Sequence, residues 1–107
     1  MLLANGAQVN VRGNDGRTPL LWAAERNNPE VAKVLLANGA QVNVRNEFGL
    51  TPLHYTAGDN ETEVAKVLLA NGAQVNVRAN DGETALAIAR DEGHREMEAL
   101  LRQHGAE

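Results

Sequence analysis

The sequence predicts an all-α solenoid of stacked helix-turn-helix units, and three observations predict it. A long stretch is repeated verbatim: Glu30 to Arg45 returns unchanged as Glu63 to Arg78, and its latter part already stands at Leu2 to Arg12. The period is constant, since Gly6, Gly39 and Gly72 recur at an interval of 33, as do Thr18, Thr51 and Thr84. Each unit holds two short stretches with apolar residues at helical spacing. A helix pair that small cannot bury its apolar face alone, so like neighbours must complete the core. One domain over 1–107 is expected, composed of a partial repeat (1–12), repeats at 13–45 and 46–78, and a C-terminal capping repeat (79–107).

Within a unit the elements follow in order. Thr18-Pro19 and Thr51-Pro52 supply a hydroxyl N-cap and a proline at the first helical position, where its missing N–H is no loss. Leu20, Ala23 and Ala24 then fall at i, i+3 and i+4, one apolar face of a short helix. Asn27-Asn28-Pro29 ends that helix and opens the next, asparagine being the side chain that best tolerates a left-handed backbone. The second helix carries Val31, Val34, Leu35 and Leu36 and stops at Asn38-Gly39, a glycine C-cap signal. Val42-Asn43-Val44 is expected to be extended, and a turn closes at Asn46-Glu47-Phe48-Gly49.

Composition bounds the function. Hydrophobic residues make up 43 % of the chain but aromatics only 3 %, so the core must be built from Leu, Val, Ala and Ile. A net charge of −4 argues against nucleic acid, which needs a basic face to displace counterions, and against anionic membrane. There is no cysteine, which excludes disulfides, thiolate nucleophiles and cysteine-bound zinc. No signal peptide and no run of about 20 apolar residues is present, so a soluble, cytoplasmic protein is expected.

The period and the stretches Thr51-Pro52-Leu53-His54 and Gly39-Ala40-Gln41-Val42-Asn43 together resemble the ankyrin repeat family, over essentially the whole chain. The chain departs from that family's pattern at Gln8, Gln41 and Gln74, at the turn positions Gly13, Asn46 and Ala79, and at Leu21 and Ala87, which stand where His54 does. The resemblance implies that His54 hydrogen-bonds the neighbouring unit. It also implies that turns and first helices form a concave surface that binds a partner protein.

The two ends differ. Arg90, Glu98 and Arg102 replace small or apolar residues of the earlier units, a polar outer face suited to a C-terminal cap. Met1 aligns with Val34, in mid-helix, so the apolar face of the first complete unit, including Leu20, Val31 and Leu35, is expected to be only partly covered. Excision from a longer array, dimerisation through the open end and an engineered origin all fit, and excision is preferred.

The resemblance implies that partner contacts lie in the turns and first helices, and variation between units falls there too. It falls in the turns (Asn14, Asp15, Arg17; Glu47, Phe48, Leu50; Asn80, Asp81, Glu83) and at the ends of the first helices (Glu25, Arg26; Gly58, Asp59; Asp91, Glu92). Trp22, Tyr55 and Ile88 share one place in successive units, two residues past the leucines Leu20, Leu53 and Leu86. That is about 200° around a helix, away from the leucine face. Aromatic anchors are what interfaces concentrate; the alternative is that Trp22 and Tyr55 pack edge-on between neighbouring first helices. Acids accumulate toward the C-terminus, which suits a partner with basic groups. A monomeric protein-binding module is the leading expectation, and self-association through the N-terminal end the alternative. No catalytic constellation, metal site or cofactor is expected: His94 and Glu98 share a helix face but make only two ligands, and His104 ends a helix.

Overall fold

The computed structural model describes residues 9–13 and 17–107. The positions Gly6 and Gln8, and most of the partial repeat 1–12, lie outside them. Among the described residues six helices follow in order: α1 (Pro19–Glu25), α2 (Pro29–Ala37), α3 (Pro52–Asp59), α4 (Thr62–Ala70), α5 (Ala85–Asp91) and α6 (Arg95–Gln103). Consecutive helices pair, α1 with α2, α3 with α4, α5 with α6. The pairs then stack, α3 lying between α1 and α5, and α4 between α2 and α6.

Local chemistry sets each boundary. The hydroxyls of Thr18, Thr51 and Thr84 accept hydrogen bonds from the N–H groups of Leu21, His54 and Ala87, satisfying donors that have no partner within the helix. The reversal between paired helices falls on Asn27 (φ 52°), Asn60 (φ 56°) and Gly93 (φ 74°), one per unit. The second helices close in the same way three times. Ala40, Ala73 and Ala106 donate to the carbonyls of Leu35, Leu68 and Leu101, while Gly39, Gly72 and Gly105 donate to Leu36, Leu69 and Arg102. This is the double hydrogen bond of a Schellman cap, and the positive φ of those glycines permits it.

One continuous core runs through the units, from Val9 through Leu20, Leu35, Leu53, Val64, Leu68 and Leu86 to Met97 and Leu101. Alanines fill the spaces between helices. Leu20 and Leu35 are fully buried, contrary to the partial exposure expected of the first unit; Val9 and the neighbouring unit enclose them in the same cluster. Val34, expected on the apolar stripe of α2, is instead exposed. It sits about 100° around the helix from Leu35, outside the sector facing α4.

The segment expected to be extended is a turn. Val42-Asn43 and Val75-Asn76 bend tightly, and their asparagines reach the next unit. Asn43 Nδ2 donates to the Gly72 carbonyl (3.3 Å) and its Oδ1 accepts from Gln74 N–H (2.8 Å). Asn10 does the same to Gly39 and Gln41, and Asn76 to Gly105 and Glu107. Beside them Arg12 donates to the Arg45 carbonyl (2.9 Å) and Arg45 to that of Arg78 (2.7 Å). A hydrogen-bonded ladder thus fixes the register of one unit on the next.

Candidate partner-binding face

The turns and the helices α1, α3 and α5 lie along one side of the stack. Two successive turns are tied at their tips: Asn80 N–H donates to the Phe48 carbonyl (3.0 Å) and Asn80 Nδ2 to that of Glu47 (2.9 Å). A side chain on Gly49 would stand 2.6 Å from Asn80 Oδ1 and 2.9 Å from its backbone nitrogen, and φ there is +77°, so only glycine allows this approach.

The turn positions that depart from the family pattern keep their hydrogen bonds by other means. Asn46 Oδ1 accepts from the N–H groups of Phe48 (2.9 Å) and Leu50 (3.0 Å), while its Nδ2 donates to the Tyr55 hydroxyl (2.7 Å). Ala79 has no such side chain, and Asp81 Oδ1 accepts from Glu83 N–H instead (3.0 Å).

His54 braces the same region. Thr51 N–H donates to its Nδ1 (3.0 Å). A backbone N–H can only donate, so Nδ1 must be the unprotonated nitrogen and Nε2 carries the proton toward the Glu83 carbonyl (3.1 Å). Burial holds the imidazole below its ordinary pKa, outweighing the backbone hydrogen bonds that oppose the shift. The bond to the next unit is the one expected of this residue. Leu21, at the equivalent position, is fully buried instead.

The expected partner-contacting residues fall into distinct groups. Asn14 and Asp15 lie outside the described residues. Phe48, 62 % exposed, joins Leu50, Ala79, Asn80 and Asp81 around a depression of about 290 Å³. Trp22 is 40 % exposed with the Arg26 guanidinium 5.2 Å above its ring, a cation–π pair. Arg17 Nε pairs with Glu25 Oε2 at 2.6 Å. Tyr55 and Ile88 are half-buried and flank the core, so they present less surface than Trp22 does. Glu83 lies beside Asp81, Asp91 and Glu92; desolvation, then the repulsion of those acids, pushes its carboxyl above the ordinary range. Asp59 and Glu47 are exposed.

Two sets of residues escaped the sequence reading. The ladder of Asn10, Asn43 and Asn76 was legible only as an invariant asparagine with no apolar reason to recur. Glu61 is buried between α3 and α4, and the variation of its position (Asn28, Glu61, His94) was the available signal.

Elsewhere Glu98 accepts from Arg102 at 2.9 Å and faces Arg90 at 4.0 Å, so charges expected on an outer face are mutually compensated. Among the described residues no group of three or more His, Cys, Asp or Glu could hold a metal ion, and no helix is long and apolar enough to cross a membrane.

Helical hairpins stacked in register, with turn tips aligned along one side, define a repeat solenoid. The description "Ankyrin repeats (3 copies)" matches residues 35–107, and "Ankyrin repeats (many copies)" matches residues 2–55. The chain belongs to the ankyrin repeat family, whose members are generally protein–protein interaction modules and typically non-catalytic. No curated protein matches it.

Proposed function

We propose that this chain binds another protein through the concave face made by its turns and first helices, with Trp22, Phe48 and Leu50 as apolar anchors. The observation that carries this reading is Phe48. A large aromatic ring stands mostly in water at the tip of a turn that hydrogen bonds hold rigid, beside an apolar depression. Rigid aromatic anchors lose little conformational freedom on binding, which is why interfaces favour them. The ion pair and the cation–π pair at Arg17 and Arg26 order the other end of the face.

The test is the double change Trp22→Ala with Phe48→Ala, applied to affinity capture from the source cell. Partner binding is expected to vanish while the helical signal and the unfolding midpoint stay near those of the parent. An unfolded array would instead assign both rings to the core.

Self-association through the N-terminal end has one observation in its favour: Val11 and Val34 are exposed where the equivalent Val44 and Val67 are more covered. Sedimentation across a concentration series separates the readings, a monomer being expected of the recognition module. We read 79–107 as the closing unit and the intervening units as bounded at 45 and 78.

A further inference from the structure

Phe48 and Asp81 hold the same place in successive turns, one period apart (81 − 48 = 33). The preceding turn carries Asp15 there, so an aromatic ring stands at a position that both neighbouring turns give to an acid. The fold does not bury that ring, which is 62 % exposed. The hydrogen bonds that shape its turn run through Asn46 and the Phe48 backbone, not through the ring. Both side chains line the depression of about 290 Å³, together with Leu50, Ala79 and Asn80. Asp81 Oδ1 accepts from Glu83 N–H (3.0 Å), and its carboxylate makes no ion pair among the described residues. The adjoining arginines are engaged with carbonyls: Arg45 donates to Arg78 (2.7 Å) and Arg78 to Gly82 (3.4 Å). A depression lined by an aromatic ring, aliphatic groups and one carboxylate suits a side chain that is apolar along its stem and cationic at its head.

We propose that this depression receives an arginine of the bound protein, its stem against Leu50 and Ala79 and its guanidinium on the Phe48 ring and the Asp81 carboxylate. The inference rests on the reading that this face binds a protein, and it names the residue that the partner inserts. Charge complementarity carries it. Asp81 adjoins Glu83, which in turn faces Asp91 and Glu92, so the surroundings of the depression are acidic. A wholly apolar occupant would take the Asp81 carboxylate out of water without a partner.

Arginine is a better occupant than lysine because a planar guanidinium can stack on a ring and pair with a carboxylate at the same time. The chain already makes the first of these contacts within itself, where the Arg26 guanidinium lies 5.2 Å from the centre of the Trp22 ring. At Phe48 the ring is present and the cation is not supplied by either adjoining arginine. The tie between the turns, from Asn80 to the carbonyls of Phe48 and Glu47, holds ring and carboxylate in register before a partner arrives. Little ordering is then left to be done on binding.

Acetylated hexaarginine amide, titrated into the full chain, tests this, with the hexacitrulline peptide as a control of the same shape without the charge. Phe48 is the one phenylalanine of the chain, so its ring-proton NMR signals report the depression directly. They are expected to shift saturably with the arginine peptide, and the citrulline peptide to bind about tenfold more weakly or less. Asp81→Asn keeps an oxygen for Glu83 N–H, as Asn46 does for Phe48 N–H, and should lower affinity about fivefold. Phe48→Leu keeps an apolar side chain without the ring and should lower it about threefold. The charge-matched Glu63→Gln, on the exposed side of α4 beside Lys66, should change it less than about twofold. Unmoved Phe48 signals, equal binding of the two peptides, or equal losses from Asp81→Asn and Glu63→Gln would overturn the seat; the ring signals are read on the parent and do not depend on a variant folding. If the peptide leaves Phe48 unmoved while Trp22→Ala with Phe48→Ala still abolishes capture of the natural partner, the arginine seat is wrong and the binding face stands. Capture that survives that double change overturns both.

Discussion

At the residue scale two buried groups pull the pH dependence of stability in opposite directions. His54 is neutral in the folded state and its pKa lies below the ordinary 6.5. Its contribution is whole above pH 6.5 and is lost as pH falls through the folded-state value. Glu61 is raised from 4.5 to about 7, so its contribution is whole below 4.5 and is lost as pH rises through 7. The two slopes oppose one another in the same window and mask each other in the parent. Single variants should unmask them. Glu61→Gln should equal the parent near pH 4 and exceed it at pH 8 by about 1–2 kcal/mol, a figure discounted because the neighbouring Asp59 is exposed to screening solvent. Urea midpoints at the two pH values measure this, and a variant no more stable than the parent at pH 8 would contradict it.

At the element scale, boundaries were legible wherever a single residue makes them. A threonine before each first helix, an Asn-Gly after α2 and α4 and an asparagine in the first two reversals are local devices, and the structure places caps and positive φ at those residues. Asn27→Ala should cost about 1 kcal/mol, since alanine resists a φ of 52°, whereas Asn27→Gly should be nearly neutral. Thermal unfolding of the pair checks this. The Val42-Asn43-Val44 segment was misread because alternation of apolar and polar residues is a strand pattern. Asn43 there answers to Gly72 and Gln74, about one full unit away, and no local rule sees a partner that only stacking supplies. Glu61 was hidden for the same reason. By its neighbours in sequence it is an ordinary helix start, and only the packing of α3 against α4 takes it out of water.

At the scale of the whole molecule, the interval of 33 was enough to give the stack, because identical units have one way to shelter each other repeatedly. The turn tips and first helices followed from it, while the pairing of Phe48 with Asn80 needed the three-dimensional register. Leu68 lies fully buried in the middle of the continuous core. Leu68→Ala should cost about 2–5 kcal/mol by denaturant unfolding. The same truncation at exposed Val34 should cost well under 1 kcal/mol.

The caps that end α2 and α4 also bear on chemical ageing. Asn38 and Asn71 precede glycine, the pairing most prone to deamidation through attack of the following backbone nitrogen on the side-chain amide. In the folded stack each amide is held away, donating to the carbonyl of Val34 or Val67 at 2.8 Å, while the glycine nitrogen donates to Leu36 or Leu69. Conversion to aspartate should therefore be slow in the native protein and fast in urea. Tryptic peptides 34–45 and 67–78 are identical, so one mass signal reports both sites. Equal rates in the two conditions would mean the caps give no protection; unequal rates make these asparagines a chemical clock for the time the protein spends unfolded.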